Sequence, residues 1–273
     1  MLPPENDEDS TTRPDATTDA AIADAAAQLR TRGFALLEGV HDAATCALLK
    51  DALDGLRAGL GDPPLYAKDP IYPAPKSEIS TTGLVFYELF GWRPDLAGRV
   101  FDPVGLGAIR AILGEGLHLE LVGGVISDEG RPYFEWHTHL GGIDDERWRH
   151  AHRFPRYARS HRVQYLLYPE AVTEATGPLL VHPRRVGDPT EPPHPIDQTR
   201  WPGDVKLTFP AGSVLLLEQC VWHAVLPRQA PGLRYFVGGY FASAEAPPTE
   251  LVDESLQTLQ TDDPLLSSVL PGR

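Results

Sequence analysis

The sequence predicts an α+β protein, helices first and then a β-sandwich or jelly-roll barrel. Three observations carry that reading. Residues before 115 hold amphipathic, helix-period segments. From residue 117 the chain turns into short runs rich in β-branched and aromatic residues, divided by Pro and Gly. No internal repeat interrupts this order.

Residues 20–32, AAIADAAAQLRTR, are Ala-rich with an apolar helical stripe, and Gly33 follows as a helix-ending glycine would. FALLEGV, 34–40, reads as a short strand. Residues 42–60 then form a long amphipathic helix with Asp42 at its N-terminus. Residues 61–80 are a Pro-rich loop, STTGLVFYELFGW is mixed in pattern, and DPVGLGAIRAILG, 102–114, is a helix that stops at Gly114. The strands expected next are LHLELVGGVIS, RPYFEWHTHL, HRVQYLLYPE (161–170), GPLLVHP (177–183), DVKLTFP (204–210), GSVLLLEQCVWHAVL (212–226) and LRYFVGGYFAS (233–243). The expected organisation is a disordered acidic tail over 1–19, one jelly-roll domain over 20–245, and an extension over 246–273 with one short helix.

A chain of 273 residues with 42% hydrophobic content supports one substantial core. No run of about 18 apolar residues predicts a membrane span, and the polar N-terminus lacks the apolar region of a signal peptide. Two cysteines, Cys46 and Cys220, form no metal-type cluster and fit a reduced, cytoplasmic protein; a Cys46–Cys220 disulfide stays open. A net charge of −14 argues against nucleic acid or an anionic membrane as partner. One stretch runs the other way: RWRHAHRFPRYARSHR, 147–162, holds six arginines and three histidines without an acid. It is either a solvated loop neutralised by Asp144, Asp145 and Glu146, or a lid that attracts an anionic substrate. A zinc site from His150, His152 and His161 has no cysteine to support it.

The chemistry concentrates in EWHTHLGG, 135–142. Residues two apart on a strand point the same way, so His137 and His139 aim at one point, with Glu135 on the same face. A jelly roll can add a third metal ligand from a later strand, and His223 in QCVWHAVL is the candidate. Eleven residues on, Arg234 opens the next strand. A hairpin would bring it beside His223, where a guanidinium facing inward is a bidentate carboxylate receptor. Trp136 and Trp222 should point the opposite way, either Gln164 or Tyr165 should face the cavity, and His182 falls at the pocket mouth or on the surface. The structural alternative for Arg234 is an ion pair with Glu218.

The order GFALLEGV, WHTH, GPLLVHPRR, PAGSVLLLEQCVWHAV and LRYF resembles the phytanoyl-CoA dioxygenase family of iron(II)- and 2-oxoglutarate-dependent oxygenases, over roughly residues 20–245. The resemblance implies a double-stranded β-helix core and the cofactor set Fe(II), 2-oxoglutarate and O2. Carried over residue by residue, His137 and His223 match the outer metal ligands and Arg234 the residue that grips the distal carboxylate of 2-oxoglutarate. The departure is His139, which stands where the family has Asp or Glu. Four readings follow: His139 coordinates, giving a three-His site; Glu135 supplies the carboxylate; Asp144 or Asp145 reaches in; or either the metal chemistry is lost or His139 lines the pocket without binding metal. The first is adopted as the expectation. His139 is not small, which speaks against the halogenase variants of the family. The expected function is oxidation of a small molecule, with a 2-oxoglutarate-independent dioxygenase and a non-catalytic carboxylate binder as alternatives. Twenty arginines against four lysines suggest GC-rich bacterial coding, and with it a biosynthetic tailoring step. Oligomeric state is not read.

Overall fold

The computed structural model describes residues 16–139, 154, 157–249 and 252–272. Asp144, Asp145 and most of the basic run, His150 and His152 included, lie outside the described residues.

Local sequence explains the helices. Helix α1, Ala16–Arg32, begins four residues earlier than the periodicity indicated, inside the stretch assigned to the acidic tail. Gly33 follows it at φ 75°, and a Cβ there would stand 2.0 Å from Val221 Cγ2, so only glycine fits. Helix α2, Ala43–Gly59, starts where the Asp42 carboxylate accepts from Thr45 N at 2.7 Å. A short helix α3, Leu89–Trp92, precedes α4, Pro103–Leu113. Asp102 caps α4, accepting from Val104 N and Gly105 N at 2.9 Å, with Pro103 pre-set for the first turn.

The strands are β1 (Phe34–Leu37), β2 (Ser77–Ile79), β3 (Leu84–Phe86), β4 (His118–Ser127), β5 (Phe134–His137), β6 (Arg162–Tyr168), β7 (Leu179–Val181), β8 (Val205–Leu207), β9 (Ser213–Glu218), β10 (His223–Val225) and β11 (Arg234–Ala242). They form a seven-stranded sheet, β1-β9-β6-β11-β4-β3-β2, and a four-stranded sheet, β5-β10-β7-β8, antiparallel at every named pairing. This is the predicted jelly roll with helices packed on it.

Two-residue alternation assigns the faces of the large sheet. Val163, Tyr165 and Leu167 of β6, with Tyr235, Val237 and Phe241 of β11, join the core beneath Leu29, Leu49, Leu53, Leu106 and Ile109 of the helices. The residues between them face the small sheet. The outer face of the small sheet is covered separately: Trp136 stacks on Trp201 at 4.2 Å, beside Leu180 and Trp222. Both tryptophans that flank histidines therefore point away from them, as alternation required.

Three expectations need correction. Residues 212–226 are not one strand: β9 lies in the large sheet and β10 in the small one. Continuous burial on both sides of the break hid it, because no change of pattern marks the crossing. Second, β10 and β11 do not form a hairpin; Arg234 enters the opposite sheet. Third, the C-terminal segment has two helical turns, Ser255–Thr258 and Pro264–Ser267, and it is part of the core. Leu256, Leu266, Val269 and Leu270 are buried there, Leu119 N donates to Val269 O at 2.8 Å, and buried Asp253 accepts from Val122 N at 3.1 Å.

Leu266 is fully buried in that segment. Leu266→Ala is expected to destabilise the protein by about 2–5 kcal/mol in urea unfolding, as for any well-packed core leucine. A change within about 0.5 kcal/mol would mean that the segment is a detachable tail.

Candidate active site

The two sheets enclose a cavity of about 580 Å³, part of it open to solvent. Its large-sheet wall is Gln164, Leu166 and Tyr168 of β6, Arg234, Phe236 and Tyr240 of β11, and Ser127 of β4. Its small-sheet wall includes Phe134 and His137 of β5 and His223 and Val225 of β10.

Strand pairing builds the histidine cluster. In the β5–β10 ladder, His137 and His223 are direct partners, which sets their rings 4.1 Å apart between centroids. His139 lies just past the end of β5, where its N donates to Gln219 O at 3.0 Å. Its ring reaches back so that Nε2 sits 3.2 Å from His223 Nε2. One ring nitrogen from each of the three histidines lies within 4.8 Å of the others.

The unused nitrogens are spoken for. His137 Nδ1 is 2.8 Å from Glu135 O and His223 Nδ1 is 3.0 Å from Val221 O. A carbonyl oxygen only accepts, so each Nδ1 carries the proton and each Nε2 presents a lone pair to the cavity. Two nitrogens bound at right angles to one ion at about 2.1 Å stand about 3.0 Å apart, close to the observed His139–His223 separation. Without an ion, His139 Nε2–H donates to His223 Nε2. Burial, and the neighbouring His223, hold His139 well below the usual histidine range; burial pushes His223 down to about 4. Both are neutral at pH 7 and give up no proton to bind a metal.

The other candidates separate clearly. Glu135 is exposed and is not one of the converging groups, while Gln164, not Tyr165, faces the cavity. Tyr165 points to the helices, donating to Asp102 Oδ2 at 2.8 Å with His41 Nε2 also at 2.8 Å. His182 lies outside the cavity, its ring 5.6 Å from Trp201 and 6.1 Å from His194. His161 contacts Ser243 and Tyr157. Cys46 and Cys220 are buried and free, so the disulfide is absent. Glu218 pairs with Arg184 at 2.9 Å and not with Arg234.

Arg234 is buried in the wall, its Cζ 5.5 Å from the Tyr168 ring centroid. Its Nε and Nη2 have no hydrogen-bond partner among the described residues. A second buried arginine lines the cavity, Arg131, which falls in the expected RPYFEWHTHL strand but was not singled out there. Tyr168 and Tyr240 were recoverable: they share the alternation of Gln164 and Arg234.

No protein-family model matches the sequence, and no curated protein matches it. Solved structures do match in shape. The non-heme alpha-ketoglutarate-dependent carbocyclase SnoK from nogalamycin biosynthesis superposes with a TM-score of 0.60 at 16% identity, over 88% of this chain and 92% of that one. HygX from Streptomyces hygroscopicus, with nickel and 2-oxoglutarate bound, gives 0.58 at 14% identity over 81% and 87%. EctD from S. alaskensis gives 0.57 at 20% identity over 84% and 79%. At these identities the likeness is one of fold: this chain has the jelly-roll architecture on which those 2-oxoglutarate-binding proteins are built.

The neutral, buried state of His223 has a pH signature. An unfolded histidine takes up its proton near pH 6.5, the folded His223 only near 4. Between these values the unfolded chain binds more protons, so His223's share of stability is intact above pH 6.5 and lost as pH falls toward 4. The metal-free protein is expected to lose roughly 3 kcal/mol through this residue across that window. Urea unfolding at several pH values checks it: His223→Asn should have the shallower pH slope, and equal slopes would contradict the assignment.

Proposed function

We propose that this chain is an iron(II)- and 2-oxoglutarate-dependent oxygenase that oxidises a small molecule. His137, His139 and His223 hold the metal, and Arg234 holds the distal carboxylate of the cosubstrate. The observation that carries the proposal is the pairing of features in one cavity: three imidazole nitrogens within 4.8 Å of one another, and a buried guanidinium with unpartnered N–H groups. The donor set fits Fe(II), for which imidazole is an ordinary ligand. Within the iron- and 2-oxoglutarate-dependent oxygenases the phytanoyl-CoA dioxygenase family is the finer assignment. The oxygenase domain, expected over 20–245, takes in α1 from Ala16 and the C-terminal core segment, and the buried free thiols accord with a reducing cytoplasm. Among the described residues no helix is long and apolar enough to cross a membrane.

Bound iron, with 2-oxoglutarate and O2, supplies oxidation of a C–H bond while the cosubstrate becomes succinate and CO2. The chain's own residues orient and exclude. The Nδ1 bonds to Glu135 O and Val221 O lock two imidazoles with Nε2 inward. His139 in place of a carboxylate leaves the centre one charge more positive, which favours a dianionic cosubstrate. Leu166, Leu179, Val225 and Phe236 keep the reacting space apolar. Gln164 is an uncharged polar group on the large-sheet wall, directly paired in register with Tyr240, and the Tyr240 ring is 5.9 Å from His139. These two orient the substrate. The matched proteins come from nogalamycin biosynthesis, or were solved with hygromycin B or 5-hydroxyectoine, and support a biosynthetic small molecule as substrate.

Anaerobic Fe(II) titration with and without 2-oxoglutarate tests the proposal through the weak visible band of a metal-chelated 2-oxo acid. The band is expected only with both present. It should persist in His139→Asp and weaken in His139→Ala, whose iron affinity should fall by more than the roughly 10–100-fold that losing an outer partner costs. Tight iron binding without a band would favour a dioxygenase that binds its substrate directly. No iron binding would leave a carboxylate-binding protein without turnover.

A further inference from the structure

The cavity holds two buried arginines, and the chain treats them unlike its others. Arg162 and Arg184 are also buried, and each meets a carboxylate: Glu120 at 2.8 Å and Glu218 at 2.9 Å. Arg131 and Arg234, 4% and 6% exposed, form no ion pair among the described residues. Arg131 Nε and Arg234 Nε and Nη2 are buried without a hydrogen-bond partner.

Backbone register brings the two together. Arg234 at the start of β11 is the direct partner of Ser127 at the end of β4. The turn that follows, with Gly130 N donating to Asp128 Oδ1 and Arg131 N to Asp128 O, returns Arg131 to the same end of the cavity. Both guanidinium groups act on Tyr168, and Arg131 also lies over the Phe134 ring at 5.9 Å. Each cation opposes the other: burial and Arg234 push Arg131 down to about 9. Two neighbouring buried cations without an acid are unfavourable as they stand, and an anion that both can bond removes the conflict. A carboxylate, with two oxygens and about four acceptor positions, can take one fork from each.

We propose that Arg131 is the second grip of the anion subsite, so that Arg131 and Arg234 together hold one terminal carboxylate and select a dicarboxylic 2-oxo acid over a monocarboxylic one. This rests on the proposed function for the identity of the acid. The grip itself needs no metal. It therefore predicts that the metal-free protein binds glutarate, which has the distal carboxylate but no keto group to chelate a metal.

Calorimetric titration of metal-free protein with glutarate, beside thermal unfolding, is the test. The wild type should bind glutarate and gain Tm from it. Arg131→Met should weaken glutarate at least about tenfold, the scale of one charge-assisted hydrogen bond. Its ligand-free Tm should equal or exceed the wild type's, because a buried unpaired charge has been removed. Arg131→Lys, which keeps the charge without the fork, should fall between. A structural arginine would behave otherwise: a lower ligand-free Tm in Arg131→Met, or failure to fold, overturns the proposal. So does wild-type glutarate affinity in that variant, or no glutarate binding by the metal-free wild type. The iron-dependent band of the preceding experiment reports on the oxygenase reading independently, since its loss leaves the glutarate result standing and its presence does not rescue it.

Discussion

Between Glu218 and His223 the chain leaves the large sheet and enters the small one, and the site depends on how that corner is held. The Glu218 N donates to Gly33 O at 2.8 Å and its carboxylate accepts from Cys220 N at 3.0 Å, while Val221 N donates to Glu218 O at 3.0 Å. Arg184 pairs with the buried carboxylate and partly offsets the burial that raises its proton affinity above the usual range. Gly33 lets Val221 pack against bare backbone. The corner then serves two histidines at once. It delivers His223 opposite His137, and its Gln219 O anchors the backbone of His139. A break in the Glu218–Arg184 pair would leave an uncompensated buried charge, typically worth 3–5 kcal/mol, at the point that fixes both rings.

Rigidity there matters because the buried imidazoles of His139 and His223 carry no charge of their own to organise the site. The rings are held by directional bonds: Nδ1 to a backbone carbonyl in His137 and His223, and Nε2 to Nε2 between His139 and His223. Backbone acceptors two residues upstream come with the strand itself, so the tautomer is set by local geometry rather than by a carboxylate that evolution must place separately. Among the described residues the cavity wall holds no acid, and its field there is that of two guanidinium groups. On the proposed function, a metal held by three neutral imidazoles and a cationic wall would reinforce each other in favouring a dianion.

The sequence revealed what periodicity and spacing can carry. Gly33, Asp42 and Asp102 mark helix ends by local chemistry, and His137, His139 and His223 stand out because residue type and spacing point to one task. Relations between the sheets were not legible. Residues 213–225 are buried nearly throughout, so neither face shows a polar rhythm and the crossing at 219–222 leaves no trace. Arg234 was expected beside His223 along one sheet, but it faces the site from the other. Gln164 and Tyr165 are adjacent and both polar, and only the buried Asp102–Tyr165–His41 bonds decide which one turns to the helices. Arg131 sits in the expected RPYFEWHTHL strand, where nothing in the local pattern distinguishes a buried arginine from a solvated one.

This bears on how such a cavity stays both stable and receptive. The protein matches its buried arginines with acids where they only join elements, Arg162 to Glu120 and Arg184 to Glu218. Among the described residues no acid pairs with Arg131 or Arg234, where the proposed ligand would enter. An internal carboxylate would neutralise them and also compete with the proposed cosubstrate for the same donors. Leaving the cations unpaired costs folding stability, which the large helix-side core, extended by the C-terminal segment, can offset. On the proposed grip the same choice would make binding self-limiting in a useful way: a monocarboxylate chelating the metal would leave both guanidinium groups unsatisfied, and the penalty would fall on the wrong acid rather than on the right one.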